Sequence, residues 1–408
     1  MLRRNIVNHM ITITSYLHRN TLHDIILRWM YDDAHPSDAG QITRLVHFNI
    51  IYVSRYLQLF SDRLFGQLHR CNYHTRRTTL KGDLKDVIIT NVPYPDARIE
   101  EMIHNYRNHP ERFFRETPFH ATMFFVYRNG VKLYIGSNRI KRVRRLAEKS
   151  ARRIIDRIFE TIKKNADRLA EERAGRMGVS RQQMVTTPED MTAEFLKAEN
   201  RLLEDLRYRR QIQDADRLVI NDVAGIKVIV EEPEQDHLMD LVGQMKDCEI
   251  IEVEPHSGKY NAINLIVRFY PPKERILSRS LGHGTLKVMQ GKGMIPAEAN
   301  RDFVEFVRSG EESVDLEIIV SDYKEMLESE IGRCIHEDRI IEQRLQQPYC
   351  GHLAKNIEYL MEYLFSFPAS SQIELGQLPI KLWNRYLPDY FDDVLKRLFR
   401  IPIINELE

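Results

Sequence analysis

Arg217-Leu-Val-Ile-Asn-Asp-Val-Ala-Gly-Ile-Lys-Val-Ile-Val230 is the stretch whose reading decides the fold. A short polar lead-in brings one carboxylate, Asp222, and a glycine, Gly225, to an apolar β-branched run that Glu231-Glu-Pro233 closes. A run of this kind, bounded by breakers, is a buried strand, so the sheet rather than a loose loop holds the carboxylate. Two later strands supply what it lacks. Lys259-Tyr-Asn-Ala-Ile-Asn-Leu-Ile-Val-Arg-Phe269 carries an aromatic ring, Tyr260, at its entry, and Val314-Asp-Leu-Glu-Ile-Ile-Val320 carries a second carboxylate, Glu317. Two acids and one ring on neighbouring strands can hold a divalent metal and a nucleobase.

Around this stretch strands alternate with helices. The pattern predicts strands over 218–230, 249–254, 260–270 and 313–320, with helices over 234–247, 300–308 and 321–346. Residues 271–300 read as an irregular insertion. This is an α+β or α/β arrangement around a mixed β-sheet. Upstream, Ala121–Tyr127 and Val131–Ile135 flank Asn129-Gly130, whose residue types supply the positive φ angles of a tight hairpin. Ser137 is placed to cap a long helix from about Asn138 to Arg173, basic at its start through Arg139, Lys141, Arg142, Arg144, Arg145, Lys149, Arg152 and Arg153. That run reads either as a solvated face or as a phosphate-facing surface. Residues 71–95 read as a connector.

Residues 2–33 and 40–70 repeat apolar side chains at helical spacing, a packing or partner surface. Four segments result: a helical unit over 1–75, a hairpin and basic helix over 76–188, the strand-rich domain over 189–346, and a helical tail over 347–408. Lys and Arg total 60 against 59 Asp and Glu, so no global field points to nucleic acid or a membrane. Four cysteines among 408 residues do not make a disulfide scaffold, and a reducing cytoplasm is the expected setting. No apolar stretch approaches the ~18 residues that span a bilayer.

Asn221-Asp222-Val-Ala-Gly225-Ile-Lys227 resembles the aspartate strand of the RelA/SpoT-like alarmone synthetases, usually D-(I/L)-x-G-x-R. Lys259-Tyr260-Asn-Ala-Ile-Asn264 is similar to their G-Y-x-S-(I/L)-H strand, Leu316-Glu317-Ile-Ile to E-I-Q-I, and Lys324–Ile331 to their final acidic helix. The likeness covers roughly residues 190–345 with the order of elements preserved. It implies a nucleotidyltransferase-like fold that moves pyrophosphate from ATP to the 3′ hydroxyl of GDP, GTP or a related acceptor such as an adenine nucleotide or a tRNA end. It implies that Asp222 and Glu317 hold Mg²⁺ and orient that hydroxyl, and that Tyr260 stacks on the acceptor base. Lys227 then stands at a phosphate-contacting arginine and Lys259 enters the same strand. Asn264 replaces the family's histidine, Ile319 its glutamine and Ser321 its arginine. The R-x-K…S…K element that cradles ATP is not found just before the aspartate strand. Arg207, Arg209 and Arg210 are placed to substitute, while Arg139-Ile140-Lys141 is a look-alike far upstream. The alternative is a catalytically inactive nucleotide-sensing or RNA-binding module of the same fold. A protein partner on the N-terminal helices and a homo-oligomer remain open.

Three weaker motifs compete. His23-Asp24 invites a metal-hydrolase reading but is more simply two polar neighbours on a helix. Gly282–Gly293, with Lys287 and Lys292, can offer backbone amides to phosphate but lacks the spacing of a Walker motif. Cys334-Ile-His336 and Cys350-Gly-His352 suggest zinc, yet residues two apart on a helix point to different sides.

Overall fold

The computed structural model describes residues 11–70, 72–210, 218–258 and 261–402. Among the described residues nine strands appear in chain order: β1 (Ile11–Ile13), β2 (His74–Leu80), β3 (Pro118–Arg128), β4 (Val131–Ile140), β5 (Leu218–Ile220), β6 (Ala224–Ile229), β7 (Cys248–His256), β8 (Ala262–Phe269) and β9 (Val314–Ser321). Seven of them form one mixed sheet in the order β2-β3-β4-β6-β9-β8-β7, in which only β6 and β9 run parallel. β1 and β5 pair parallel in a separate two-stranded ribbon. The protein is therefore α+β with a mixed sheet, as its alternating pattern predicts.

The helices divide into two layers. On one face α1 (Arg19–Met30) and α2 (Asp38–Leu68) join α5 (Val143–Arg176), α6 (Pro188–Arg207) and later helices over Pro296–Ser309 and His352–Ser366 around the larger core. Phe65 of α2 stacks on Phe124 of β3 at 4.2 Å, and Phe60 meets Phe269 of β8 edge-on at 5.2 Å. The helical periodicity of residues 40–70 is thus spent on internal packing. On the other face α3 (Lys81–Ile88), α4 (Ala97–Asn108) and the segment Tyr323–Ile331 cover only part of the sheet with a smaller core. The uncovered part of that face, here termed the cleft, carries polar and charged side chains, among them Arg139, Asn264, Arg268 and Glu317.

One bulge decides which side chains enter the cleft. The β3–β4 register shifts between Phe124 and Phe125, so that Tyr134 pairs with Phe125 but Gly136 with Phe124. A one-residue slip moves every following side chain to the opposite face. As a result Asn138 turns to α2, donating to Ser61 Oγ at 2.9 Å, and Arg139 turns into the cleft opposite Gly225. Gly136 itself has no alternative, because a Cβ there would lie 2.2 Å from the Lys227 carbonyl oxygen. At the hairpin tip, Asn129 and Gly130 carry φ of 51° and 79°, the tight primed turn their types require.

Several sequence expectations are corrected. The strand expected over 218–230 is broken at Asn221–Val223, which frees Asp222 from ladder pairing. Residues 71–95 are not a connector but hold edge strand β2 and helix α3, with Thr78 buried and the rest of β2 exposed. Ser137 does not cap a helix; β4 continues to Ile140 and α5 starts at Val143. The irregular insertion 271–300 contains three helical stretches, Lys273–Leu277, His283–Gly291 and the start of Pro296–Ser309. The helix expected over 321–346 is interrupted by a π-helical turn at Glu328–Gly332 and by Cys334 in the left-handed region. Each miss lies where tertiary pairing or a local break outweighs periodicity.

Candidate functional site

Asp222 sits in the gap between β5 and β6, and its neighbours are pinned from both sides. Thr14, just past β1, takes up the Ile220 carbonyl through its backbone and donates its hydroxyl to Asn221 Oδ1 at 2.9 Å. From the other side the Lys141 amide donates to the Val223 carbonyl at 2.8 Å. Two backbone hydrogen bonds and one side-chain bond fix the gap that carries the carboxylate.

Two ammonium groups meet on it. Lys141 Nζ, one residue past β4, and Lys149 Nζ, from the second turn of α5, both donate to Asp222 Oδ2. Asp222 Oδ1 is buried and has no hydrogen-bond partner among the described residues. Burial alone would push the Asp222 carboxyl up, but the two lysines outweigh it and hold the group well below the usual carboxylate range. Burial in turn draws Lys141 down to about 8, against the pull of Asp222.

Glu317 stands opposite Gly225 on the parallel neighbour β9. A Cβ added at Gly225 would lie 3.8 Å from Glu317 Oε2 and 4.0 Å from Arg139 Cγ, so both side chains lean over this glycine. Asn264 Nδ2 donates to Oε1 at 3.1 Å. Burial first, and then the nearby Asp222 charge, raise the proton affinity of Glu317. The Asp222 charge bears on Glu317, and Lys141 and Lys149 act on both carboxyls. Farther along the same face Arg268 pairs with Asp315 at 3.1 Å.

A second charged group lies deeper under α3. Lys81 Nζ bonds both oxygens of Glu330 at 2.7 Å and approaches Glu337 at 3.5 Å, all three side chains being buried. Lys85 Nζ lies 3.5 Å from Cys334 Sγ, and Lys227 Nζ lies 3.5 Å from Ser329 Oγ. Burial draws Lys227 down to about 8, and the Glu330 charge works against that shift. Lys227 is therefore turned toward the π-helical turn, away from a role as a simple surface phosphate contact.

The remaining expected site residues are distributed as follows. Lys259 and Tyr260 lie outside the described residues. Arg207, Arg209 and Arg210 do not gather at Asp222: Arg209 pairs with Asp33 at 2.9 Å, Arg210 with Asp205 at 3.2 Å, and Arg207 lies over Tyr208. They close the end of α6 against the α1 terminus, because α5 and α6 form an antiparallel excursion pinned by Arg173 to Asp190 and Glu194. The residues that do reach Asp222 are the upstream Lys141 and Lys149. The signal was Arg139-Ile140-Lys141 followed by Lys149, alternation on a strand and then a helical turn, once the excursion is treated as an insertion. Of the basic helix start, Arg145 and Arg152 bond Gln343 and Gln346 at the end of Ile335–Leu345, leaving Arg142, Arg144 and Arg153 exposed.

The other motifs resolve structurally. His23 is buried and accepts from the Ile11 amide, and His283–Gly291 is a helix whose next residue, Lys292, bonds the Phe367 and Gln372 carbonyls. Among the described residues no three His, Cys, Asp or Glu side chains converge as a metal-binding group. A surface depression of about 690 Å³ along Asn300–Ser309 is lined by none of the cleft residues. No helix of the described residues is long and apolar enough to cross a membrane. Comparison with protein-family models, with curated proteins and with solved structures returns no match for this chain.

Proposed function

We propose that the cleft is a nucleotidyltransferase-like site that moves a pyrophosphoryl group from ATP to the 3′ hydroxyl of a guanine nucleotide or a related acceptor, as in the RelA/SpoT-like synthetases the chain resembles. One observation carries the reading: Lys141, just past β4, and Lys149 of α5 both meet Asp222 in the gap before β6, on whose parallel neighbour β9 stands Glu317. Phosphoryl-type transfer asks a protein for charge neutralisation and in-line positioning more than for covalent chemistry. Lys141 and Lys149, released from Asp222 when the nucleotide arrives, are the cations for the ATP phosphates, with Arg139 on the same face of the sheet.

Asp222 and Glu317 suit Mg²⁺, a hard cation that leans on one or two carboxylates and keeps its waters. The unpartnered Asp222 Oδ1 marks a carboxylate with capacity to spare. The ion would supply charge neutralisation at the transferring phosphates. In the step itself the acceptor oxygen bonds to the β-phosphorus of ATP, the bond from that phosphorus to the α–β bridging oxygen breaks, and AMP leaves. Glu317 takes the hydroxyl proton as the oxygen–phosphorus bond forms.

A catalytically silent nucleotide-sensing or RNA-binding module is the alternative, and Ser321 favours it. Where the resembled family carries an arginine, this hydroxyl is buried and without a hydrogen-bond partner among the described residues. Labelled ATP incubated with GDP, GTP and tRNA, then resolved by chromatography, separates the two. Transfer predicts AMP that disappears in Asp222→Ala and Glu317→Ala; a silent module binds nucleotide and releases none.

A further inference from the structure

The two edges of the seven-stranded sheet are both open and oppositely charged. β2 reads His-Thr-Arg-Arg-Thr-Thr-Leu, with every residue but Thr78 exposed; β7 reads Cys-Glu-Ile-Ile-Glu-Val-Glu-Pro-His, exposed from Ile251 to Pro255. Each strand pairs on one side only. Among the described residues no backbone hydrogen bond outside the sheet reaches 74–79 or 249–256. An unpaired row of amides and carbonyls is a template for another strand.

Register places the charges. Glu254, Glu252 and Glu249 pair with Asn264, Ile266 and Arg268, so all three point to the cleft face of the sheet. On the far edge His74 and Arg76 pair with Phe125 and Met123, which also point to that face. Following the pairings across the sheet, β2 and β7 run in opposite directions. A second copy that continues the sheet with its faces aligned therefore meets β7 with its own β2 antiparallel. With Arg76 set opposite Glu252, His74 falls opposite Glu254, and on the other face Thr75 falls opposite Val253. Opposite-charge and β-branched cross-strand pairs are both favourable.

We propose that this protein self-associates head to tail, the acidic β7 edge of one copy adding to the basic β2 edge of the next. The two surfaces differ, so the contact is heterologous and leaves a free edge at each end. Strand twist of roughly 20–25° per strand turns such a stack into a helical filament with every cleft on a continuous surface. Pro255 lacks an amide donor and the bulge at Ile251 interrupts the ladder, which limits the contact to a short run and keeps it reversible.

Sedimentation velocity of the full chain over a concentration series tests this. The wild type is expected to grow past a dimer as concentration rises, and to shrink back as salt screens the edges. Glu252→Lys/Glu254→Lys and, separately, His74→Glu/Arg76→Glu should each weaken association by about tenfold, from two cross-strand pairs turned repulsive. All four substitutions in one chain restore the charge match and should restore growth, which a variant that merely failed to fold could not do. Circular dichroism of each variant checks the fold. A wild type that stays monomeric throughout would overturn the proposal, leaving the glutamates and bulge as guards against edge pairing. So would half-reversed variants that associate as well as the wild type, or growth that stops at a dimer.

Discussion

The Lys81–Glu330 pair and the Lys141–Asp222–Lys149 trio border the same sheet, yet they are built to opposite ends. Lys81 and Glu330 are both nearly inaccessible, and Lys81 gives hydrogen bonds to both carboxylate oxygens. That pair has little left to offer a ligand. In the trio two cations crowd one oxygen of Asp222 while the other oxygen goes without a partner, and all three side chains keep contact with solvent at 15–29% exposure. Charge committed on all sides holds a fold together; charge left partly uncommitted at a cleft edge is available for binding. The difference also explains why Lys227, drawn toward the buried group, is a poorer phosphate contact than its position on β6 implied.

The sharpest way to break the comparison is to remove one partner from each group. Glu330→Ala leaves buried Lys81 with only the more distant Glu337 as counter-charge, with Lys85 and Lys227 nearby, and should cost about 3 kcal/mol in urea denaturation. A loss no larger than that of an average surface change would mean the buried pair is not structural. Asp222→Ala should lower ATP turnover by about 100-fold or more, in line with loss of a transition-state charge partner, and change the urea midpoint far less than Glu330→Ala does. Equal destabilisation by the two variants would erase the distinction. Lys149→Ala removes one charge-assisted hydrogen bond to a phosphate and should weaken ATP binding by roughly ten- to a hundredfold in calorimetry. Lys85→Met, in the buried group, should leave that affinity unchanged.

The smallest effect is a proton. Lys141 has its folded-state pKa drawn down to about 8, below the ordinary lysine value, so it loses charge in the folded protein as pH rises through that point. A bound phosphate favours the charged form and raises the pKa again. Nucleotide binding above pH 8 should then take up a fraction of a proton, and binding well below it none from this group. Calorimetry in buffers of different ionisation enthalpy reads this directly, and Lys141→Arg, charged at every pH used, should abolish the uptake.

Part of the site was legible in the sequence because it lies on strands or directly beside them. Asp222, Gly225 and Glu317 were readable from apolar runs whose length and breakers mark them as buried, and β-pairing then brings Gly225 and Glu317 into one row. The basic partners were not readable in the same way. Lys141 and Lys149 lie far upstream of Asp222, and only the antiparallel β4–β6 pairing, closed around the α5–α6 excursion, joins them. Local periodicity carries no information on such pairing. For the same reason Arg207, Arg209 and Arg210, near Asp222 in sequence, end against Asp33, Asp205 and Tyr208 instead. The edge strand β2 was missed because an exposed strand of Arg and Thr lacks the apolar alternation that marks a half-buried one.

Mass spectrometry of the acceptor after incubation with ATP, Mg²⁺ and wild-type protein tests the central claim most directly. The account predicts GDP, GTP or a related acceptor carrying an added pyrophosphoryl group, with AMP formed in equal amount and neither product formed by Asp222→Asn. Transfer of a single phosphate with release of ADP, or nucleotide bound tightly with every acceptor left unchanged, would contradict it.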